Sequence, residues 1–220
     1  RIVLLPHEAA EVACAYRIKA PRARVAQSAE EAAAFAEELG YPVVLKVVSP
    51  DILHKTDIGG VALNLKSSDD VRAAFDGMML RVTRLMPTAR IQGVMVYRMV
   101  PMGKEMIVGM SRDVQFGPLL MFGLGGIYIN FLRDVSFRLA PLSRYEAQKM
   151  IEETKAYTLL KGIRGEPPSD ISALEETILR VGQLVWDFPE ILEMDVNPVI
   201  VYQQGEGCIA LDVKITLARS

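Results

Sequence analysis

The fold of this chain is best predicted from residues 45–60, which read LKVVSPDILHKTDIGG. The stretch begins as an apolar strand around Lys46, continues as a charged loop around His54, and ends in Gly59-Gly60. A lysine inside a β-branched strand costs desolvation free energy unless an anion meets it. Paired glycines let backbone amides approach a ligand closely. Together these features predict a site that handles phosphate groups.

Composition limits the classes of function. The chain has 220 residues, 50% of them hydrophobic and 24% charged, which is typical of one large domain or two lobes. A net charge of -2 gives no basic footprint for nucleic acid. The longest apolar stretch, residues 117–132, is too short and too rich in glycine to span a membrane. Cys14 and Cys208 lack metal-type spacing, and no signal peptide is visible, so we expect a cytoplasmic protein.

Helical and strand patterns alternate along the chain. Ser28, with Glu31 three residues later, predicts a capped helix that ends at Gly40. Residues 91–108 carry methionines at helical spacing, but Pro101, Gly103 and many β-branched residues favour two strands joined at 101–104. The other predicted helices are 8–16, 68–85, 144–151, 155–163 and 171–187, with Ser67 or Ser68, Ser143, and Ser169 or Asp170 as caps; the other predicted strands are 22–26, 43–48, 61–65, 118–122, 135–140, 191–201 and 207–215.

The last two strands form a predicted hairpin around the turn at residues 203–206. A turn centred between Gln204 and Gly205 pairs residues whose numbers sum to 409, so Asn197 faces Asp212 and Asp195 faces Lys214. The two-residue period of a strand predicts a polar face and a core face. The polar face holds Glu193, Asp195 and Asn197, and the core face holds Met194, Val196 and Ile200.

Each candidate functional residue has two interpretations. Asn197 and Asp212 suit Mg²⁺, which takes a few oxygen ligands from protein and the rest from water and phosphates; the alternative is a polar pair on a solvated sheet face. Lys46 either neutralises phosphates or extends to water. A neutral His54 is able to accept a phosphoryl group as a nucleophile, although most loop histidines have no such role.

Two further features are equally open. The glycine-rich segment 123–126, GLGG, is either an anion cradle or a tight turn. Glu105 either accepts hydrogen bonds from ribose hydroxyls or lies exposed on its strand. Met95, Met99 and Tyr97 suit a core and also an adenine slot.

The motifs occur in an order that resembles the ATP-grasp domain of NDP-forming acyl-CoA synthetases over nearly the whole chain. These include the β subunit of ADP-forming acetyl-CoA synthetase and, more distantly, that of succinyl-CoA synthetase. The matching segments are GYPVVLK at 40–46, SP at 49–50, HKTDIGGV at 54–61, GKE at 103–105 with Gly109, FGP at 116–118, FGLGGI at 122–127, Asp134, RLAPL at 138–142, EMDVNP at 193–198 and LD at 211–212.

The resemblance implies an ATP-grasp fold of the α+β (α/β) class, in which two lobes clamp a nucleotide. We expect an N-terminal helical segment at 1–20, one lobe at 21–98 and the other at 99–220. It further implies roles for individual residues. Lys46 with Gly59, Gly60, Gly125 and Gly126 contacts phosphates; Tyr97, Arg98, Met99 and Val100 hold adenine; Glu105 holds ribose; Asn197 and Asp212 bind Mg²⁺; His54 carries phosphate in relay; and Asp195 lies beside the metal or the incoming histidine.

The implied activity is that of an acid–thiol ligase that uses Mg²⁺ and ATP or ADP. Phosphoryl transfer to histidine leads to an acyl phosphate and then to acyl-CoA. No CoA-binding segment is visible in the sequence, so the expected partner is a CoA-binding α subunit, or fused α-like domains, carrying the primary phosphohistidine. Alone, the chain is expected to bind nucleotide without completing the reaction.

One departure from the family pattern leaves alternatives open. Asn130 stands where the family usually has a glutamate after Gly-Leu-Gly-Gly, and an amide does not act as a base. A regulatory nucleotide-binding module, as in some fused lysine acetyltransferases, is therefore a second hypothesis. An ATP-grasp carboxylate–amine ligase is a third, against which stand the His54 loop and the lack of a substrate-binding domain.

Overall fold

The computed structural model describes residues 1–52, 55–125, 134–163 and 165–219. The chain divides into two compact units. The small unit is Pro21–Pro101, and the large unit joins Arg1–Ala20 to Met102–Ser220. The N-terminal segment thus belongs to the same compact unit as the C-terminal part of the chain. That lobes at 21–98 and 99–220 clamp a nucleotide stays a prediction.

The small unit is an antiparallel sheet with helices on one face. Its strands are β2 (Ala23–Ala26), β3 (Val43–Val48), β4 (Val61–Leu65) and β5 (Gly93–Arg98), in the order β2-β5-β3-β4. Its helices are α2 (Ala29–Leu39) and α3 (Ser68–Leu85). Alternate residues Val43, Leu45 and Val47 join the core with Val71 and Phe75, which recur at helical spacing on α3.

The large unit contains a sheet in the order β1-β11-β9-β6-β7-β8, with β10 paired to β9. Its strands are β1 (Ile2–Val3), β6 (Lys104–Asp113), β7 (Gly117–Leu124), β8 (Val135–Leu139), β9 (Ile191–Val201), β10 (Cys208–Ala210) and β11 (Val213–Leu217). Its helices are α1 (Pro6–Ala15), α4 (Arg144–Glu152), α5 (Ala156–Leu160) and α6 (Ile171–Asp187). On α6, Leu174, Ile178, Val181 and Val185 are fully buried at helical spacing, so one face of this helix packs into the core.

The predicted helix caps are confirmed and resolved to single residues. Ser28, Ser67 and Ser143 accept backbone N–H groups at 3.2, 3.1 and 3.3 Å, and Asp170 caps α6 at 3.1 Å. Ser143 also forms the full capping box with Glu146. The first helix begins two residues earlier than predicted, at Pro6, because proline is favoured at the first helical position.

The two strands predicted within residues 91–108 are also confirmed, but they belong to different sheets. β5 lies in the small unit and β6 in the large unit, so the segment between them is where the chain passes from one unit to the other. Helix α5 covers only part of the predicted 155–163. Its end is followed by Gly162, whose positive φ of 88° is a conformation that favours glycine.

Asp170 joins the start of α6 to the turn of the C-terminal hairpin. Besides capping α6, its carboxylate accepts the N–H groups of Gly205 at 3.0 Å and Gly207 at 2.9 Å. The same residue donates its own N–H to the carbonyl oxygen of Tyr202 at 2.9 Å. Asp170 therefore ties the β9–β10 turn to the helix that packs beneath the sheet.

Asp170→Ala is expected to lower the free energy of unfolding by about 2 kcal/mol, because three backbone donors lose their acceptor. Asp170→Asn, which keeps one carbonyl oxygen, should lose less. Urea titration of the two variants against the unsubstituted chain measures the difference. Equal stability of Asp170→Ala and the unsubstituted chain would contradict this role.

Candidate functional site

The register of the C-terminal hairpin is the one predicted from the sequence. Lys214 pairs with Asp195 and Val213 with Val196. The N–H of Asn197 donates to the carbonyl oxygen of Asp212 at 3.1 Å. Asn197 and Asp212 are thus opposite one another, and Asp195 and Lys214 form the next same-side pair.

At Asn197-Pro198 and Leu211-Asp212, the hairpin changes which of its alternate residues point into the core. Met194 and Val196 lie in the core cluster, but beyond this point Val199 and Val201 do so. The prediction that Ile200 shares the core face with Val196 is therefore wrong. An extra residue in β9 relative to β6 interrupts the two-residue period, since Val108 and Met106 pair with Val196 and Val199.

The other arm of the hairpin, formed by β10 and β11, shows the same change in which residues point into the core. Val213 and Ile215 point into the core on one side of the change, and Ala210 and Cys208 on the other. The N–H of Leu211 donates to the carbonyl oxygen of Pro198 at 2.9 Å, so pairing continues through the irregularity. As a result the hairpin buries a row of side chains along its whole length. Asn197 and Asp212 lie partly buried where this row is interrupted.

The electrostatics of this segment suit a cation. Asp195 is exposed, but the protein atoms around its carboxyl group still raise its pKa by desolvation; the neighbouring Asp212 carboxylate raises the pKa further, and Lys214 opposes both effects. The carboxylate of Asp212 and the amide oxygen of Asn197 are hard oxygen donors that fit Mg²⁺, and the carboxylate of Asp195 beside them adds negative charge. Within the described ranges, no three histidine, cysteine, aspartate or glutamate side chains cluster to hold a metal. A bound Mg²⁺ would take its other ligands from water and phosphate.

Glu105 and Gly125 meet near the first residues of β6, where Glu105 pairs with Ile200, three residues after Asn197. The Gly125 N–H donates to the Glu105 carbonyl oxygen at 2.9 Å, and the Glu105 side chain is exposed. A Cβ at residue 125 would lie 2.7 Å from the Met106 carbonyl carbon and oxygen. Because backbone cannot move aside as a flexible side chain does, only glycine fits. The close packing places Gly125, the third residue of the GLGG segment, against the strand that carries Glu105.

In the small unit, Lys46 lies in the middle of β3 and is partly buried rather than fully buried. It pairs with Met95 on one side and Val61 on the other. Val44 pairs with Tyr97, so Lys46, Met95 and Tyr97 share the sheet face opposite α2 and α3. The structure therefore brings the predicted phosphate residue and part of the predicted adenine segment onto one surface.

The remaining adenine candidates follow β5 directly. Arg98 is exposed, Met99 and Val100 are partly buried, and the Met99 N–H donates to the Pro42 carbonyl oxygen at 2.8 Å. This bond fixes the chain just after Tyr97. Their contacts with a nucleotide stay a prediction.

The turn after the His54 loop is tightly packed. Gly59 has a positive φ of 66° and donates its N–H to Thr56, and Gly60 donates its N–H to Lys55 at 2.7 Å. A Cβ at residue 59 would overlap the side chain of Arg81 on α3. Both amides are thus used within the turn. The positive φ at Gly59, and the 3.0 Å distance from a Cβ at residue 60 to the Lys55 carbonyl oxygen, are structural reasons for the glycines, and their phosphate-binding role stays a prediction.

Three residues of the sequence analysis, His54, Gly126 and Asn130, lie outside the described residues. Their roles stay predictions. Conversely, the Asp51–Arg90 ion pair was not foreseen. Asp51 accepts the Arg90 guanidinium at 2.8 and 3.0 Å and the Arg90 backbone N–H at 2.8 Å. No local pattern links residues 39 positions apart, so only the fold reveals this anchor of the segment before His54.

The chain belongs to the ATP-grasp domain family, whose sequence model matches residues 1–217. It is 48% identical over 214 residues to the β subunit of acetate–CoA ligase [ADP-forming] I of Pyrococcus furiosus, covering 97% of this chain and 91% of that subunit. It is 52% identical over 195 residues to acetate–CoA ligase [ADP-forming] I of Archaeoglobus fulgidus, covering 89% of this chain and 28% of that protein. The chain therefore corresponds to a separate subunit in one relative and to a minor part of a longer polypeptide in the other.

Solved structures agree in fold. The acetyl-coenzyme A synthetase 1 of Ca. Korarchaeum cryptofilum, in complex with coenzyme A and Ca-AMPCP, has a TM-score of 0.95 at 47% identity, over 99% of this chain and 94% of that one. A second structure of that protein, with coenzyme A and Mg-AMPPCP, is described as having its phosphohistidine segment pointing towards the nucleotide-binding site; it has a TM-score of 0.87 at 44% identity, with 99% and 94% coverage. No helix in the described part of this chain is long and apolar enough to cross a lipid bilayer.

The pH dependence of the Asp51–Arg90 pair is a first test of this region. The Arg90 guanidinium, with help from its backbone N–H, lowers the pKa of Asp51 to about 2. Because the pKa is depressed in the folded state, the pair stabilises the fold above the ordinary pKa of about 4, and the contribution disappears as the pH falls through about 2. Carbon-13 NMR titration of the Asp51 carboxyl should show this pKa, and Arg90→Gln should raise it. An unchanged pKa in Arg90→Gln, with exposed Arg84→Gln as control, would refute the pairing.

Substitution at the hairpin tests the metal assignment. Asn197→Ala removes one oxygen ligand, and Asp212→Asn removes the negative charge of the other, so the Kd for Mg·ATP should rise by about 10-fold or more in each variant. Affinity for ATP without metal should change little. Glu206→Gln, an exposed position at the turn of the same hairpin, is the matched control. Calorimetric titrations with and without Mg²⁺ measure both affinities; equal losses in the two conditions would rule out a metal role.

Proposed function

We propose that this chain is the nucleotide-binding part of an ADP-forming acyl-CoA synthetase, an acid–thiol ligase of the acetyl-CoA type. The observation that carries the proposal is the pairing of Asn197 with Asp212 beside Asp195 on the C-terminal hairpin. These side chains supply hard oxygen ligands next to a further carboxylate, which suits phosphoryl transfer from a metal-bound nucleotide. The family relationship supports the same activity, since the Pyrococcus furiosus relative is the β subunit of an acetate–CoA ligase [ADP-forming].

The residues divide the work of binding the nucleotide. Lys46 offsets negative charge on the phosphates. The glycines of the two glycine-containing segments, Gly59, Gly60, Gly125 and Gly126, contact the same phosphates. Adenine is held along residues 97–100, and Glu105 accepts hydrogen bonds from the ribose hydroxyls. Mg²⁺, held by Asn197 and Asp212, would supply neutralisation of the charge that builds up on the transferred phosphoryl group.

The chemical step is an in-line displacement at the γ-phosphorus. The lone pair of a neutral imidazole nitrogen forms the new N–P bond, the bond from the γ-phosphorus to the bridging oxygen breaks, and its electron pair leaves with ADP. Attack at this phosphorus yields ADP rather than AMP. Asp195, two residues before Asn197 on β9, would steady the imidazole that receives the phosphoryl group. The remaining steps, through acyl phosphate to acyl-CoA, need the CoA-binding part.

We propose that the partner is a CoA-binding α subunit, or α-like domains of one fused chain, carrying the primary phosphohistidine. The longer Archaeoglobus fulgidus relative, of which this chain covers 28%, supports the fused arrangement. The Pyrococcus furiosus β subunit, covered to 91%, supports the separate one. His54 is proposed as the relay histidine of this chain, and the location of the enzyme as the cytoplasm.

A labelling experiment tests the proposal. Mixed with its CoA-binding part, Mg²⁺ and γ-³²P-labelled ATP, the chain should acquire acid-labile label on histidine that disappears when CoA and a carboxylic acid are added. His54→Ala should keep nucleotide affinity and lose overall turnover, because the relay nucleophile is missing.

His7→Gln, at the other histidine of the chain, is the control and should turn over normally. Nucleotide binding without any histidine label would favour the regulatory module that Asn130 suggests. Normal turnover by His54→Ala would remove His54 from the relay and leave the rest of the assignment standing.

A further inference from the structure

We propose that Lys214 is a phosphoryl-binding residue, whose ammonium group holds the phosphoryl group while it passes between nucleotide and histidine. This inference rests on the function proposed above and adds a residue to its site. The geometry that points to it is a pocket of about 400 Å³ on the open face of the large unit's sheet, away from the helices.

The register of five strands builds this pocket as a row across the sheet. Lys214 of β11 pairs with Asp195 of β9, which pairs with Gly109 of β6. Gly109 pairs with Met121 of β7, which pairs with Phe137 of β8. All five line the pocket. The row therefore runs from a charged end at Lys214 and Asp195 to an apolar end at Met121 and Phe137.

The middle of the row is hollow because residue 109 has no side chain. A Cβ there would lie 3.2 Å from the methyl carbon of Met121, which is tighter than ordinary packing. The space next to Gly109 lies between the apolar side chains of Met121 and Phe137 and the opposite charges of Asp195 and Lys214. That shape and polarity suit a flat ring that carries an anionic group, such as a phosphorylated imidazole.

Charge selects Lys214 as the anion-binding group. Among the described residues that line the pocket, Lys214 carries the positive charge, while Glu193 and Asp195 carry negative charges. Glu193 is paired with Arg1 at 2.8 Å, so its charge is already offset. Asp195 alone would repel a phosphoryl group, and the lysine opposite it compensates for that repulsion.

Lys214 is also within reach of the metal-binding pair. Asp212 directly precedes β11 and lies two positions before Lys214, so their Cα atoms are at most about 7 Å apart. A lysine side chain covers a distance of that order, so its ammonium group can serve a phosphoryl group between Asp212 and the hollow at Gly109. Lys214 transfers no proton in this role. It stabilises the negative charge that the three oxygens of the phosphoryl group carry in the transition state.

The test uses the complete synthetase, this chain with its CoA-binding part, and measures the rate at which γ-³²P from Mg·ATP reaches histidine. Lys214→Met keeps the length of the side chain and removes the charge. It should slow the transfer about 100-fold, as expected for loss of one group that stabilises transition-state charge. The Kd for Mg·ATP should stay within about twofold, because this lysine serves the transferred group rather than the nucleotide as a whole.

Lys214→Arg keeps the charge and should restore most of the rate. Lys155→Met, at an exposed lysine of the same unit that does not line the pocket, is the matched control and should behave as the unsubstituted chain. Gly109→Ala, which keeps Lys214 and partly fills the hollow, should also slow transfer, and it serves as the test if Lys214→Met does not fold.

The outcomes separate this inference from the proposed function. If the unsubstituted enzyme gives no labelled histidine, the proposed function fails, and this inference with it. If that enzyme is labelled and Lys214→Met is labelled equally fast, Lys214 has no such role and the proposed function stands. A rise in the Kd for Mg·ATP as large as the loss of rate would also overturn the inference, because Lys214 would then act in nucleotide binding.

Discussion

The large unit depends on one constraint: its C-terminal hairpin must bury side chains along its whole length while changing which residues point inward. Val196 and Val199 both lie in the core, three residues apart, and so do Val213 and Ala210 on the partner strand. The two-residue period of a strand does not allow this without an irregularity. The residues between the two core rows, Asn197-Pro198 and Leu211-Asp212, are therefore released from packing, and oxygen-bearing side chains occupy the gap.

That irregularity links packing to chemistry. On one side of it, the open face of the sheet has a charged end at Asp195 and Lys214 and a hollow at Gly109. On the other side, Gly125 packs against the strand that carries Glu105. Since both features share strand β6, the positions proposed for ribose, metal and acceptor are fixed by one set of backbone hydrogen bonds. Function here follows from register more than from any single side chain.

Features governed by local rules could be predicted from the sequence. Ser28 and Ser143 start helices through bonds to residues three positions away, and the hairpin register follows from a four-residue turn. Features that need distant partners could not be predicted. Ile200 was assigned to the wrong face because the extra residue in β9 is visible only against β6. The pairing of Asp51 with Arg90 likewise depends on the fold.

We propose that the C-terminal hairpin presents the oxygen ligands of Asn197 and Asp212 to the metal of a bound nucleotide. The most direct measurement replaces Mg²⁺ with paramagnetic Mn²⁺ in the presence of ADP and records amide signals of the isotopically labelled chain by NMR. We expect signal loss to be centred on Asn197 and Asp212 and to fall off with distance along β9 and β11. Signal loss centred elsewhere in the chain, or the same pattern in the absence of ADP and in Asp212→Asn, would contradict it.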